Sequence, residues 1–429
     1  MFQCIFFCFI VIAMNNNGIA PMSMTLNEIQ RIGTVAGQKL QAMHEIKRDV
    51  RETTPIRTYS QVELHNMLKS TNRPISRNTL SAELAKMEKL GHTFDRPNGI
   101  NFSLTQQDCI DVADFLNVEK YRTKTDGKAY VVVNQNLKGG VGKSMGTGLV
   151  ATALTNMIKY ILHDIRVCII DLDPQATSTQ QHTPSARISD GDYTSIALMC
   201  DDTDADEIRK FAVAKTENRN VDIIRCGTED GFYADELDNE EVRGNQHFAS
   251  LLLERVIKKI ECDYDIIFLD AGPHMDKVMK NCLWAANAIY IPVPSTYYNY
   301  DSTLRFLERF PIVMKQLVEE GLDLARLDFI KPYLSKVPNN GNAHDKDIYE
   351  SASADLNDIF TFNSTVKQPL PHEDVYERCA EMQRTIFTMK AKDYPGSNEA
   401  FKRALTSAEQ WATELIEGIM YYHKKRGSK

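Results

Sequence analysis

Apolar residues recur along this chain in two periods. From Leu26 to Val50, the positions Leu26, Ile29, Gly33, Ala36, Leu40, Met43, Lys47 and Val50 fall at spacings of three and four. That is the spacing of one helix face, interrupted at Gly33 and Lys47. It predicts a helix within 24–54, either packed on its own domain or paired with a second copy. Ser60-Gln61-Val62-Glu63 carries the capping-box pattern and opens a short helix. Thr71 to Pro74 make a turn. Ser76 caps a second helix, in which Leu80, Leu84 and Met87 form one stripe ending at Gly91. His92–Phe94 and Ile100–Leu104 then predict two strands joined through Asn98-Gly99, a favoured hairpin turn.

Beyond Tyr130 the pattern changes to short, mostly apolar runs. They are Tyr130–Val133, Val167–Ile170, Val221–Ile224, Ile266–Leu269, Ile289–Val293 and Leu327–Ile330. Strands buried on both faces read this way, and helical stretches lie between them. The alternation predicts an α/β domain with a doubly wound, mostly parallel sheet over 107–429. Pro292 and Pro294 are expected to close the fifth strand. Trp411 to Lys429 reads as a helix with a frayed basic end, Lys424-Lys425-Arg426.

Length and charge narrow the functional classes. A chain of 429 residues accommodates two or three domains. Its net charge of −8 means that any nucleic-acid contact must come from local patches. Such a patch exists between Pro55 and Ile100, where Arg57, Lys69, Arg73, Arg77, Lys86, Lys89 and Arg96 outnumber Glu63, Glu83, Glu88 and Asp95. Nine cysteines without CxxC pairs read as reduced thiols, with Cys168 and Cys262 expected to be buried. Cys226, Cys262 and Cys282 lack the spacing of an iron–sulfur site. The acidic run 201–207 reads as a solvated loop or helix start. The apolar stretch Met1–Ala13 is shorter than the roughly 20 residues of a membrane span and lacks a basic start. Residues 1–23 therefore read as a leader ahead of a true start at Met22 or Met24, the alternative being a membrane anchor.

The strongest chemical signal is Lys138-Gly139-Gly140-Val141-Gly142-Lys143-Ser144, placed between a strand and a helix. Main-chain N–H groups and the helix dipole at such a turn surround a phosphate chain. Lys143 adds charge near the outer phosphates, and the Ser144 hydroxyl suits magnesium. Leu137 stands where the common phosphate loop has glycine, and Lys138 opens the loop instead. Asp171 and Asp173 end the second strand and alternate so as to share one side. Asp270, ending the fourth run, is placed to hold magnesium, usually through water.

The segment 55–106 reads as a winged helix-turn-helix. Arg77, Asn78 and Ser81 lie near the start of its second helix, off the apolar stripe, where short polar and forked basic side chains suit base edges and phosphates. Arg96 is expected on the wing.

KGGVGKS (138–144), IIDLDPQA (169–176) and FLDAGPH (268–274) resemble the motifs of ParA/MinD-type ATPases, P-loop NTPases with a deviant Walker A loop. The chain is similar to the long ParA proteins that partition low-copy plasmids and carry an N-terminal operator-binding domain. The resemblance implies ATP/ADP and Mg2+ as ligands, with Lys138 to Met145 at the nucleotide. It implies a nucleotide-sandwich homodimer in which Lys138 reaches the other subunit's ATP. Lys143 and Ser144 would hold phosphate and magnesium, Asp171 would support the magnesium site, Asp270 would be its linked aspartate, and Asp173 would orient the attacking water. Members usually have threonine where Ala271 stands. Arg378, in Val375–Cys379, corresponds to an arginine used on non-specific DNA. The loop at 335–339 would border the adenine. The helix within 24–54 would serve dimer contact. The implied partners are a ParB-type centromere-binding protein, nucleoid DNA and operator DNA, with no membrane; the implied setting is the bacterial cytoplasm, on the nucleoid. Two other readings remain open: a MinD-like membrane-positioning ATPase, and a repressor with a non-hydrolysing nucleotide domain.

Overall fold

The computed structural model describes residues 25–183, 192–338, 343–360 and 364–428. The apolar leader, the candidate starts Met22 and Met24, and Asn339 lie outside them. The chain divides into two compact units, up to Ile46 and from Lys47. The helix α1 (Leu26–Thr53) starts in the first unit and its last two turns, from Lys47, belong to the second; its first-unit part exposes Leu26, Ile29, Ile32, Leu40, Met43 and Ile46.

The second unit opens with a small helical module, α2 (Gln61–Lys69), α3 (Arg77–Lys89) and α4 (Gln106–Phe115). Ser60 and Glu63 form the expected capping box, and Ser76 accepts from the Thr79 N–H at 3.1 Å. Leu80, Leu84 and Met87 point into a core shared with Leu64, Leu68 and Phe94. Helix α4 begins at Gln106. Cys109, Val112 and Ala113 of that helix join the same core, so the module's packing continues to Val118.

The expected wing does not form as a pair of strands. Ser103 N–H donates to the Asp95 carbonyl at 2.8 Å, and Tyr59 and Leu104 make an isolated antiparallel bridge. Between them the Asn98 side chain accepts from the N–H groups of Ile100 and Asn101, a local bond that competes with a ladder. Phe94 and Leu104 at the two ends are buried, but Ile100 beside the turn is 80% exposed, so the turn end of the segment has no apolar anchor.

The larger part is an eight-stranded sheet in the order β3-β4-β2-β5-β1-β6-β7-β8. Its strands are β1 (Tyr130–Asn134), β2 (Val167–Leu172), β3 (Val213–Lys215), β4 (Val221–Ile224), β5 (Ile266–Ala271), β6 (Ala288–Pro294), β7 (Phe329–Pro338) and β8 (Leu370–His372). All pairings are parallel except that of β3 with β4. Alternate residues of each central strand feed two cores. Val131, Val133, Cys168 and Ile170 face one layer with α7 (Lys277–Ala285), α8 (Tyr297–Glu319) and α9 (Ala343–Phe360). Tyr130, Val132 and Ile169 face the other, with α5 (Lys143–Asn156) and α11 (Asn398–Gly427). Burial on both faces explains the continuous β-branched runs.

Four local expectations are corrected. Pro292 lies inside β6, paired with Tyr333 of β7. The pairing of β6 with β1 ends at Tyr290, so a residue without an N–H is tolerated beyond it. Ser335–Pro338 continue β7 instead of forming a loop, because β8 supplies a partner strand with Ser335 opposite Leu370. The basic tail is anchored: Arg426 pairs with Asp328 at 2.6 Å, and Lys424 lies over the Tyr121 ring. Cys168 is buried, but Cys262, in the turn before β5, is exposed.

Candidate functional site

The glycine loop joins β1 to α5. Gly140 and Gly142 have φ of 73° and 95°, the left-handed region that side chains disfavour. Gly142 is also the N-cap of α5 and offers no side chain to cap it. The first N–H groups of this helix therefore face the loop without a side-chain acceptor at the cap, the arrangement that receives an anion. Lys138 is exposed, whereas Lys143 is buried and donates to the Lys138 carbonyl at 3.1 Å. Burial lowers the Lys143 pKa, and the carboxylates of Asp270 and Asp173 oppose that shift.

Several residues not singled out in the sequence hold this loop. Asn136 accepts from Lys138 N–H at 3.1 Å and donates to the Pro292 carbonyl at 2.8 Å. Ser335 donates to the Val141 carbonyl at 2.9 Å. Asn134 donates to the Lys143 carbonyl at 2.9 Å and meets the Tyr333 hydroxyl. A Cβ on Gly146 would lie 2.7 Å from that hydroxyl, so glycine lets α5 approach the sheet. Asn134 and Asn136 precede the loop directly, but Pro292, Tyr333 and Ser335 come from strands distant in sequence, and no local pattern announces those contacts.

The strand ends complete the site. Asn134, Asp270 and Asp171 are register partners on three adjacent strands, so their side chains share one face. Asp171 and Asp270 are both fully buried. Burial pushes the Asp171 carboxyl well above the usual carboxylate range, and the neighbouring Asp270 charge adds to it. Burial raises Asp270 too, against the hydroxyls of Ser178 and Ser144 and the Lys143 charge. Ser178 and Thr179 belong to α6 (Thr177–His182), which follows the Asp173 turn. The Ser178 hydroxyl donates to Asp270 at 2.6 Å, and the Thr179 N–H and hydroxyl both donate to Asp171 at 2.8 Å. Asp173 is half-buried; its carboxylate accepts from the Gln175 N–H at 3.0 Å and lies against Gly272. Ala271 is buried in the core and presents no polar group.

Among the described residues no cluster of three or more His, Cys, Asp or Glu forms an all-protein metal cage. Magnesium does not require one, since it binds through one or two carboxylates, water and substrate phosphates. The Ser144 hydroxyl lies beside Asp270, whose buried Oδ1 has no partner among the described residues, and this pair fits that donor set.

The residues expected to contact DNA divide by location. Arg77 and Asn78 are exposed in the first turn of α3. Ser81 is exposed, but its hydroxyl bonds Gln61 of α2 at 2.7 Å and the Arg77 carbonyl. Arg96 is tied back to Glu88 at 2.6 Å and lies over the Phe102 ring. Arg378 is exposed on α10 (Asp374–Glu381), which follows β8.

A family profile described as "AAA domain" matches residues 129–323, and one described as "ParA helix turn helix domain" matches residues 36–125. "Plasmid partition protein A" of Escherichia coli is 30% identical over 358 residues, covering 81% of this chain and 86% of that protein. "Sporulation initiation inhibitor protein Soj" of Bacillus subtilis (strain 168) is 28% identical over 209 residues, 47% of this chain and 74% of that protein. A solved structure described as "Partition Protein" matches with a TM-score of 0.69 and 25% identity, covering 92% of this chain and 98% of that one.

Proposed function

The chain belongs to the ParA family of plasmid-partition ATPases, in the long form with an N-terminal helix-turn-helix domain, and from that premise we propose how its residues run the cycle. ATP is hydrolysed with its phosphates at Lys138 to Met145. The N–H groups of α5 and the Lys143 ammonium stabilise charge on the transferring phosphoryl group. Asp173 orients the attacking water. Ser144 and Asp270 would hold Mg2+, with Asp171 behind them. When bound, that ion neutralises charge on the phosphate oxygens.

The observation that carries this reading is the uncapped start of α5 beside two buried aspartates on adjacent strands. A packing turn has no need of buried carboxylates that are raised in pKa and left partly unpartnered. Lys138, exposed at the loop's mouth, extends to the ATP of a second copy and closes a sandwich dimer. Dimer closure aligns Arg378 and neighbouring basic groups from two subunits, and summed phosphate contacts raise non-specific DNA affinity. A ParB-type partner stimulates hydrolysis and releases the DNA. Arg77 and Asn78 serve operator binding in the autorepressing mode. The protein so described works in the bacterial cytoplasm, on the nucleoid.

A MinD-like membrane role would need a free apolar face on the C-terminal helix. Trp411, Leu415, Ile416 and Ile419 of α11 are instead packed in the domain. Among the described residues no helix is long and apolar enough to cross a membrane. The deciding experiment is ATP turnover measured with random duplex DNA, with and without the protein encoded immediately downstream. Turnover raised by the two together is expected; turnover indifferent to both rejects the cycle.

A further inference from the structure

Helix α6 has six residues, and each of its ends is tied to a different part of the molecule. A helix this short is not stable by its own hydrogen bonds, so its position is set by what grips it. At one end, Ser178 and Thr179 hold Asp270 and Asp171 through the bonds of 2.6 and 2.8 Å. The Thr179 hydroxyl also accepts from Cys226 N–H at 3.0 Å. At the other end, the His182 carbonyl accepts from Arg51 at 3.3 Å. Arg51 stands in the last turn of α1 and pairs with Glu217 at 2.7 Å. Glu217 pairs in turn with Arg384. The buried Arg384 guanidinium donates to the carbonyls of Arg51 and Thr54 at 2.9 and 2.8 Å, closing the C-terminal end of α1.

This second cluster is incompletely satisfied. His182 Nε2, Gln383 Oε1 and Arg384 Nε are buried without a partner among the described residues. They belong to residues lining a cavity of about 60 Å³ together with Arg51 and Glu217. A buried polar network with open valences and adjoining space has somewhere to move when one member is displaced. Past Thr54 the chain leads directly to the helix-turn-helix module. There Arg57 N–H donates to the Thr388 carbonyl at 3.0 Å, and the Tyr59 hydroxyl donates to the Asn156 carbonyl, at the C-terminal end of α5, at 2.9 Å.

We propose that α6 couples the phosphate site to the C-terminal end of α1. Ser178 and Thr179 are positioning residues for Asp270 and Asp171, and the His182 main chain passes displacement of α6 to Arg51 and the Glu217–Arg384 pair. The proposal rests on the reading of Asp171 and Asp270 as part of the ATP–magnesium site. A carboxylate drawn toward bound nucleotide and metal loosens its hydroxyl partner on α6. Along these bonds, the rigid path from there to α1 is the helix itself.

Amide hydrogen exchange at residues 50–57 of the full chain, with and without Mg-ATP, tests the coupling. Wild type is expected to change its exchange there when Mg-ATP binds. Arg51→Gln should bind a fluorescent ATP analogue as wild type does, yet lose that response. If Arg51→Gln fails to fold, Arg51→Lys, which keeps the charge and loses the fork, carries the same expectation. Thr179→Val should raise the Mg2+ concentration for half-maximal turnover by about 10-fold, and Thr179→Ser should restore it. Exchange at 50–57 that ignores bound Mg-ATP in wild type, or persists unchanged in the Arg51 variants, overturns the proposal, as does a Thr179→Val chain with wild-type Mg2+ dependence. A wild-type chain that binds no ATP analogue at all overturns the phosphate-site reading instead.

Discussion

The Lys143 ammonium donates to the main-chain carbonyl of Lys138 at 3.1 Å, so the two lysines of the glycine loop meet through the loop's own backbone. One is buried and the other exposed, and that difference separates their expected roles. Lys143→Gln should weaken ATP binding about 10- to 100-fold, the scale of a charge-assisted hydrogen bond. Lys138→Gln should leave ATP affinity of the monomer intact and abolish nucleotide-dependent dimerisation. Equilibrium titration of a fluorescent ATP analogue and light scattering measure the two effects; loss of affinity in both variants would refute the division.

Asp173 lies at the strand end without the enclosing hydrogen bonds that hold Asp171. As the water-orienting group, its loss should slow hydrolysis while sparing binding. Asp173→Ala is expected to lower kcat by about 100-fold or more with ATP affinity retained. The ATP-bound form should then persist on duplex DNA in a filter-binding assay. Brisk turnover by this variant removes Asp173 from the role.

Gly146 is a packing requirement beneath the site. A methyl group there meets the Tyr333 hydroxyl at 2.7 Å and Asn134 Nδ2 at 2.9 Å, both buried. Gly146→Ala should destabilise the fold by about 1–3 kcal/mol through overpacking. Adding Tyr333→Phe, which removes the clashing oxygen, should recover part of that loss. Denaturant titration of the single and double variants checks it, and strict additivity would show that the two positions do not meet.

Acid should expose the buried imidazole of His182. Burial, with the Arg51 charge beside it, lowers its pKa from an ordinary 6.5 to about 4. Above pH 6.5 both folded and unfolded chains carry it neutral. Between 6.5 and about 4 the unfolded chain takes up a proton that the folded chain refuses, so stability falls as pH falls. Asp171 and Asp270, raised in the fold, act in the opposite sense, so the comparison is with His182→Gln. Wild type should lose on the order of 2 kcal/mol more than that variant between neutral pH and pH 4. Parallel stability curves would show that His182 titrates normally.

Two kinds of DNA binding should respond differently to substitution. Arg378→Ala should weaken ATP-dependent binding to random duplex and reduce its salt slope by about 1 for each phosphate that is no longer neutralised. Arg77→Ala and Asn78→Ala should leave that binding unchanged and weaken operator binding by about 1–3 kcal/mol each. Competition titrations at several salt concentrations separate the two. Equal effects of Arg77 and Arg378 on random duplex would merge the modes.

The sheet was legible because its strands are short apolar runs. Residues buried on both faces, such as Val131 to Val133 and Ile266 to Leu269, have only one way to be satisfied. Helix starts were legible for the same local reason: Ser60, Glu63 and Ser76 satisfy N–H groups three residues away. The glycine loop carried its meaning in its spacing. What failed was whatever depended on a distant partner. Ser335 to Pro338 became strand because β8 lies beside them, and Pro292 was admitted because β1 had already stopped. The hairpin at 92–104 did not form as paired strands: Asn98 bonds the N–H groups of Ile100 and Asn101, and Ile100 stays exposed. Ser178, Thr179, Asn134 and Tyr333 entered the site only when α6 and β7 were brought against the strand ends. Amino-acid order alone therefore determined the central strands, the capped helices and the phosphate chemistry, because these rest on short-range sterics and hydrogen bonding. Folding in three dimensions decided which hydroxyls hold the carboxylates and how α6 meets Arg51, because those contacts join residues that no local period relates.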